Sequence, residues 1–150
     1  MKYNSLNVAS TIAKICKKYN YSFNNTIINK LLYCAYGCVL EHYNKRLCEE
    51  YPKAYQYGPV FPKVLWYIHN KKDLLELDSI PDEPKGLLNF IEYVVKTFGK
   101  FSANQLSKWS RSKKSPWYKA INTYDGGIGC FIPDDLIKDY FIENIVYYEK

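Results

Sequence analysis

The sequence predicts a mainly α fold: a single compact helical domain of six or seven helices, with one short β-hairpin near residues 46–57. Three observations predict it. Apolar residues recur at intervals of three and four along most of the chain. Serine or asparagine caps, prolines at first helical turns and a terminal glycine punctuate those stretches where helices should start and stop. Two-residue alternation is confined to one segment. At 150 residues and 47% hydrophobic, the chain can bury one sizeable core, so residues 1–150 are read as one domain.

Val8, Ile12, Ile15, Cys16 and Tyr19 mark an amphipathic helix from about Ser5 to Tyr19, capped by Asn4 or Ser5. After a polar break at residues 20–25, Ile27, Ile28, Leu31, Leu32, Ala35, Cys38, Val39 and Tyr43 form a broader stripe, which makes this helix central. Leu47, Tyr51, Tyr55 and Tyr57 alternate loosely around Pro52 and suggest an edge hairpin. In Tyr57-Gly58-Pro59-Val60-Phe61-Pro62, Pro59 restricts Gly58 towards extended backbone and Pro62 fits a first helical turn, so the stretch reads as a rigid joint into a helix carrying Val64, Leu65 and Ile68. The spacing P-x-x-P resembles a polyproline ligand, but its core-sized neighbours argue against exposure.

Residues 70–84, rich in charge and proline, read as the main surface loop. Pro84 is expected to open a helix with Leu88, Ile91, Val95 and Phe98, ended by Gly99 in a left-handed conformation. Ser102 and Gln105 form a capping-box pattern before Leu106 and Trp109. Ser115-Pro116-Trp117 repeats a serine cap with proline at the first helical position. Asp125-Gly126-Gly127 predicts a turn, and Pro133-Asp134-Asp135 a last helix with Leu136, Ile137, Tyr140, Phe141 and Ile145.

The longest apolar run, 31–40, is too short to span a bilayer, and the N-terminal residues show no signal core, so a cytoplasmic location without membrane insertion is expected. Five cysteines at irregular spacing suit reduced thiols. The net charge of +6 invites phosphate binding, yet only Arg46 and Arg111 are arginines, so direct nucleic-acid binding is not the first reading.

Cys34, Cys38 and His42 stand at i, i+4 and i+8, a spacing that would stack zinc-competent groups on one helical face. Both cysteines also lie in the apolar stripe, which favours packing, and no third group marks a cysteine–histidine nucleophile. Gly126-Gly127-Ile128-Gly129 lacks the preceding strand and the lysine of a phosphate loop and reads as a turn. No catalytic, cofactor or metal residue is assigned. Aromatic residues make up 17% of the chain, with 16 tyrosines, a composition suited to protein recognition, to base stacking or to core filling.

Read in order, INKLLYCAYGCVL (28–40), AYQYGPVFPKVL (54–65), GKFSANQLSKWSRSKKSPWYKA (99–120) and IPDDLIKDYF (132–141) resemble the Panacea domain, the family of SocA-like antitoxins and phage-associated GepA proteins. The resemblance covers about Val8 to Phe141. It reaches Lys30 and Tyr33 of the Leu-x-Lys-Leu-Leu-Tyr motif, Tyr57, Gly58, Pro59 and Val60 of the Tyr-Gly-Pro-Val motif, the segment holding Trp109, and the Pro116-Trp117 pair. These nine residues are the candidates for partner binding or family identity. Pro52 and Lys53 stand where the family usually carries an apolar then an acidic residue. Cys34 and Cys38 stand where it usually has bulky aromatics, which again favours packing over a metal.

The resemblance implies a non-enzymatic antitoxin of a toxin–antitoxin system. It would neutralise a cognate protein toxin by direct binding, and one type of family member delivers its toxin to a ClpXP-type protease. The alternative reading is a nucleic-acid-binding accessory protein of a phage or mobile element.

Overall fold

The computed structural model describes residues 1–124 and 126–145. Its elements run α1 (Ser5–Lys18), α2 (Asn25–Tyr43), β1 (Lys53–Tyr55), β2 (Gly58–Val60), α3 (Pro62–His69), a 3₁₀ turn (Leu74–Glu76), α4 (Leu87–Phe98), α5 (Ala103–Ser110), α6 (Pro116–Tyr118) continuing into a π-helical turn (Lys119–Thr123), and α7 (Asp134–Asn144). The fold is mainly α with one small antiparallel hairpin, as the periodicities predict.

Helix α2 organises the rest. Every residue from Ile27 to Leu40 is buried, polar Asn29 and Lys30 included. A helix that is apolar nearly all round has to be enclosed; α1, α3, α4, α5, α7 and β2 each cover part of it. Asn24 caps its start by accepting from the Ile27 N–H at 2.9 Å, and Asn44, with φ at 56°, closes its end in left-handed conformation. A close approach is made at Gly37, where an added Cβ would sit 2.3 Å from the Phe141 ring of α7. Glycine there lets an aromatic ring lie directly on the α2 backbone.

Several expectations are corrected. The hairpin lies further along the chain than the alternation suggests, with Lys53 opposite Val60 and Tyr55 opposite Gly58 around a Gln56-Tyr57 tip. The Tyr-Gly-Pro-Val stretch is therefore half of the hairpin as well as the joint into α3. Residues 46–49 instead pair with the N-terminal segment, the Tyr3 N–H donating to the Leu47 carbonyl at 2.8 Å. Segment 129–132 continues the ladder on the other side of β1: the Gly129 N–H donates to the Ala54 carbonyl at 2.7 Å and the Ala54 N–H to the Cys130 carbonyl at 2.8 Å. In the expected glycine turn, Asp125 lies outside the described residues, and Gly127 has φ at 73°.

The stretch 70–84 is no free loop. Leu74 and Ile80 are buried. The Ser10 hydroxyl and Lys14 ammonium donate to the Leu77 carbonyl at 2.9 and 2.6 Å, and the Ile80 N–H donates to Thr11 Oγ1 at 3.0 Å. Surface charge masks the three-residue spacing of Leu74, Leu77 and Ile80 that docks it on α1. Helix α4 begins at Leu87, three residues after Pro84, because the Asp82 carboxylate accepts from the Gly86 and Leu88 N–H groups at 3.1 and 2.9 Å. Its buried face accordingly uses Leu87 rather than Leu88. Gly99 has φ at −69°, so it is not a left-handed stop; an added Cβ would lie 2.5 Å from the Val95 carbonyl and 2.9 Å from the Tyr21 ring. Close packing, not turn geometry, requires glycine there.

Two N-terminal helix ends share one acidic pair. The Ser5 N–H at the start of α1 donates to the Glu49 carboxylate at 3.0 Å, the Ser5 hydroxyl donates to Glu50, and the Lys63 N–H of α3 donates to Glu50 at 3.3 Å. Carboxylates at helix N-termini satisfy free N–H groups and the positive end of the dipole.

Gly37→Ala should destabilise the fold by about 1–3 kcal/mol, the usual effect of overpacking a core, and Phe141→Leu in the same chain should recover part of that loss. Urea unfolding of the single and double variants measures both.

Candidate functional site

The first two turns of α2 place three polar side chains where an apolar helix would ordinarily have none. Asn25 Nδ2 donates to the Leu65 carbonyl at 3.1 Å. Asn29 donates to the Asn25 carbonyl at 3.0 Å, and its Oδ1 accepts from the Phe61 N–H at 2.8 Å. Lys30, only 2% exposed, donates from Nζ to the Pro59 carbonyl at 2.9 Å. Together they clamp the hairpin and the start of α3 onto the helix.

Gly58, with φ at 121°, fits between these layers. A Cβ there would meet Ser110 Oγ at 2.6 Å and Lys30 Cε at 2.8 Å, so the position is closed to side chains both by space and by backbone conformation. From the other side, Trp117 Nε1 donates to the Tyr55 carbonyl at 2.7 Å. Ser115 Oγ accepts from the Tyr118 N–H at 3.1 Å and sets the short helix that carries Trp117, with buried Pro116 at its first position. The structure thus brings Lys30, Gly58, Pro59, Val60 and Trp117 together, all buried or half-buried. Tyr57 at the tip is the exception, at 66% exposure.

Tyr33 and Trp109 belong to a second cluster. Tyr33 meets Trp109 at 6.2 Å and Phe141 at 5.7 Å between ring centroids, and Trp109 also packs on Phe98 and Tyr140. The Tyr33 hydroxyl is buried and has no hydrogen-bond partner among the described residues. Of the sequence candidates, then, only Tyr57 is presented for contact; the others build the frame that holds it. Asn25, Asn29 and Ser110 escaped the sequence reading, although a polar Asn29-Lys30 pair inside an unbroken apolar run is itself a signal.

Electrostatics follow burial. Desolvation, with Arg111 nearby adding to it, lowers the Lys30 ammonium to about 8, and neither ion pair found among the described residues involves it. Burial raises the Cys34 and Cys38 thiols well above their ordinary range, which keeps them protonated and unreactive. His42 lies at the exposed end of α2 with its ring stacked on Phe90 at 4.8 Å. Among the described residues no group of three histidine, cysteine or acidic side chains is arranged to hold a metal ion, and no helix is long and apolar enough to cross a membrane.

The family described as "Antitoxin SocA-like, Panacea domain" matches residues 28–118, the stretch from Ile28 in the first turn of α2 through Tyr118 at the end of α6. The antitoxin SocA of Caulobacter vibrioides (strain NA1000 / CB15N) is 31% identical over 150 aligned positions, covering 89% of this chain and 80% of that protein. No solved structure matches.

The buried lysine has a pH signature. Its folded value, about 8, lies below the ordinary 10.5 of an unfolded chain, so between those values the unfolded state binds the extra proton and stability rises with pH. Relative to Lys30→Met, the chain should gain about 2–3 kcal/mol from pH 8 to 10, measured by urea unfolding at each pH. Tyr33→Phe removes a buried hydroxyl that has no partner among the described residues and should be neutral or stabilising by up to about 1 kcal/mol in the same assay.

Proposed function

The chain belongs to the SocA-like antitoxin, Panacea domain family, and from that premise we propose that it neutralises a cognate protein toxin by binding it directly, without catalysis. One observation carries the reading beyond family membership. The Tyr-Gly-Pro-Val motif is buried except for its tyrosine, which stands exposed on a hairpin tip clamped by Lys30, Asn29 and Trp117. A large aromatic side chain on a pre-organised support loses little entropy on binding and is a typical interface anchor. The surplus of lysine over acidic residues suits an acidic partner and speeds encounter.

Neutralisation takes one of two forms: occlusion of the toxin, or its delivery to a ClpXP-type protease. In a reconstituted reaction, toxin that disappears only when antitoxin and protease are both present supports delivery; intact, inactive toxin supports occlusion.

The direct test uses the protein encoded by the neighbouring reading frame. Expressed alone it should arrest growth, and co-expression of this chain should restore it; absence of binding overturns the reading. Tyr57→Ala should keep the wild-type melting curve yet weaken the complex about thirtyfold by titration calorimetry, the size of an interface hot spot. Unchanged affinity would leave the tip outside the interface.

A further inference from the structure

On the other side of the first turn of α2 from the hairpin lies a second surface with a chemistry of its own. Between Tyr93 and Tyr124 the chain carries six lysines and Arg111 and no Asp or Glu. The α4–α5 junction of this stretch and the loop before α2 form a groove of about 460 Å³, lined by Phe23, Ile27, Lys100 and Phe101 among others. It continues into an apolar pocket of about 300 Å³ formed by Phe98, Phe101, Gln105, Leu106 and Trp109. Phe101 and Gln105 line both. Phe23 and Phe101 are exposed at 36% and 41%, an unusual placement for two phenylalanines facing one cleft.

The rim is cationic. Lys100 lines the groove, and Lys108 is exposed on α5 about one turn after Gln105, a residue that lines both compartments. Among the described residues neither takes part in an ion pair, and no acidic side chain lines either compartment. An apolar floor below unpaired lysines matches a ligand that is apolar on one side and anionic on the other.

We propose that this groove docks an acidic amphipathic segment of a protein partner. Apolar side chains of that segment occupy the Phe98, Leu106 and Trp109 pocket, and its carboxylates meet Lys100 and Lys108. The assignment rests on the antitoxin reading for the partner's identity, the toxin, but not for the chemistry of the site. A nucleic acid fits less well. Base stacking needs open ring faces, and in the inner pocket Phe98 and Trp109 pack on one another at 5.8 Å while Trp109 also packs against Phe141. The one arginine of the stretch has its Nε committed to the Ser107 carbonyl at 3.2 Å. Asn24 and Ile27 line the groove while Asn25 and Thr26 line the hollow beneath Tyr57, so one partner laid across the start of α2 reaches both surfaces.

The test uses a fluorescein-labelled synthetic helix-forming peptide with leucines on one face and glutamates on the other, its lysine counterpart, and a single-stranded DNA oligonucleotide. The glutamate peptide should bind the full chain. The Lys100→Glu/Lys108→Glu pair should weaken it about tenfold or more, as should Phe101→Glu, while Lys45→Glu/Lys85→Glu, which changes net charge equally elsewhere, should shift it less than about twofold. Circular dichroism melts confirm that each variant folds. Equal binding of the glutamate and lysine peptides, no binding of either, or equal weakening by the control pair overturns the proposal. So does DNA that competes for the groove and loses affinity through the same substitutions. Co-expression with the neighbouring-frame protein separates the two readings. Peptide binding without neutralisation upholds the groove and removes the antitoxin role. Neutralisation unaffected by the groove variants, with the peptide bound equally by them, removes the groove and keeps the role.

Discussion

A helix without a polar face cannot stay in water, and that constraint shapes this molecule. From Ile27 to Leu40, α2 offers solvent nothing, so the chain must supply cover on every side. Burial of apolar surface at about 25 cal/mol per Å² is the driving term. Size then decides how near a neighbour can come: glycine at position 37 admits the Phe141 ring to the backbone. The remaining helices are best understood as walls for this one.

The two polar residues within that buried run explain how an unspecific requirement for cover becomes one particular arrangement. An apolar surface accepts many coverings of similar energy, but a buried amide and a buried ammonium accept only those that complete their hydrogen bonds. Asn29 and Lys30 find their partners in the backbone of Pro59 and Phe61. A hairpin displaced by one residue would leave both unsatisfied. The lysine is held at a free-energy disadvantage when charged, and its retention there fits a role in fixing register rather than in adding stability.

Much of this fold is legible in the sequence because its signals are local. Helix periodicity, the Ser102–Gln105 capping box, the Ser115-Pro116 start and the prolines at 62 and 133 all act within a turn or two of the chain. What escaped depends on contacts between distant segments. Gly99 looks like a stop until Tyr21 is known to lie against it, and residues 70–84 look free until Ser10, Thr11 and Lys14 are seen to hold them. The site shows the same division. The motif residues could be named, but their sorting into buried frame and exposed Tyr57 follows from a clamp whose parts lie about thirty residues apart, with Trp117 further still.

The hairpin's two outer margins carry a last consequence for recognition. Many proteins capture an extended peptide by letting it join a sheet as an extra strand, backbone to backbone. Here that route is shut on both sides. The free margin of β1 is already occupied by Gly129 and Cys130. On β2, Pro59 has no N–H to offer and its carbonyl is taken by Lys30. A partner arriving at this hairpin finds no open strand margin to pair with, which makes the identity of the residue at its tip, rather than the presence of a strand, the thing that selects.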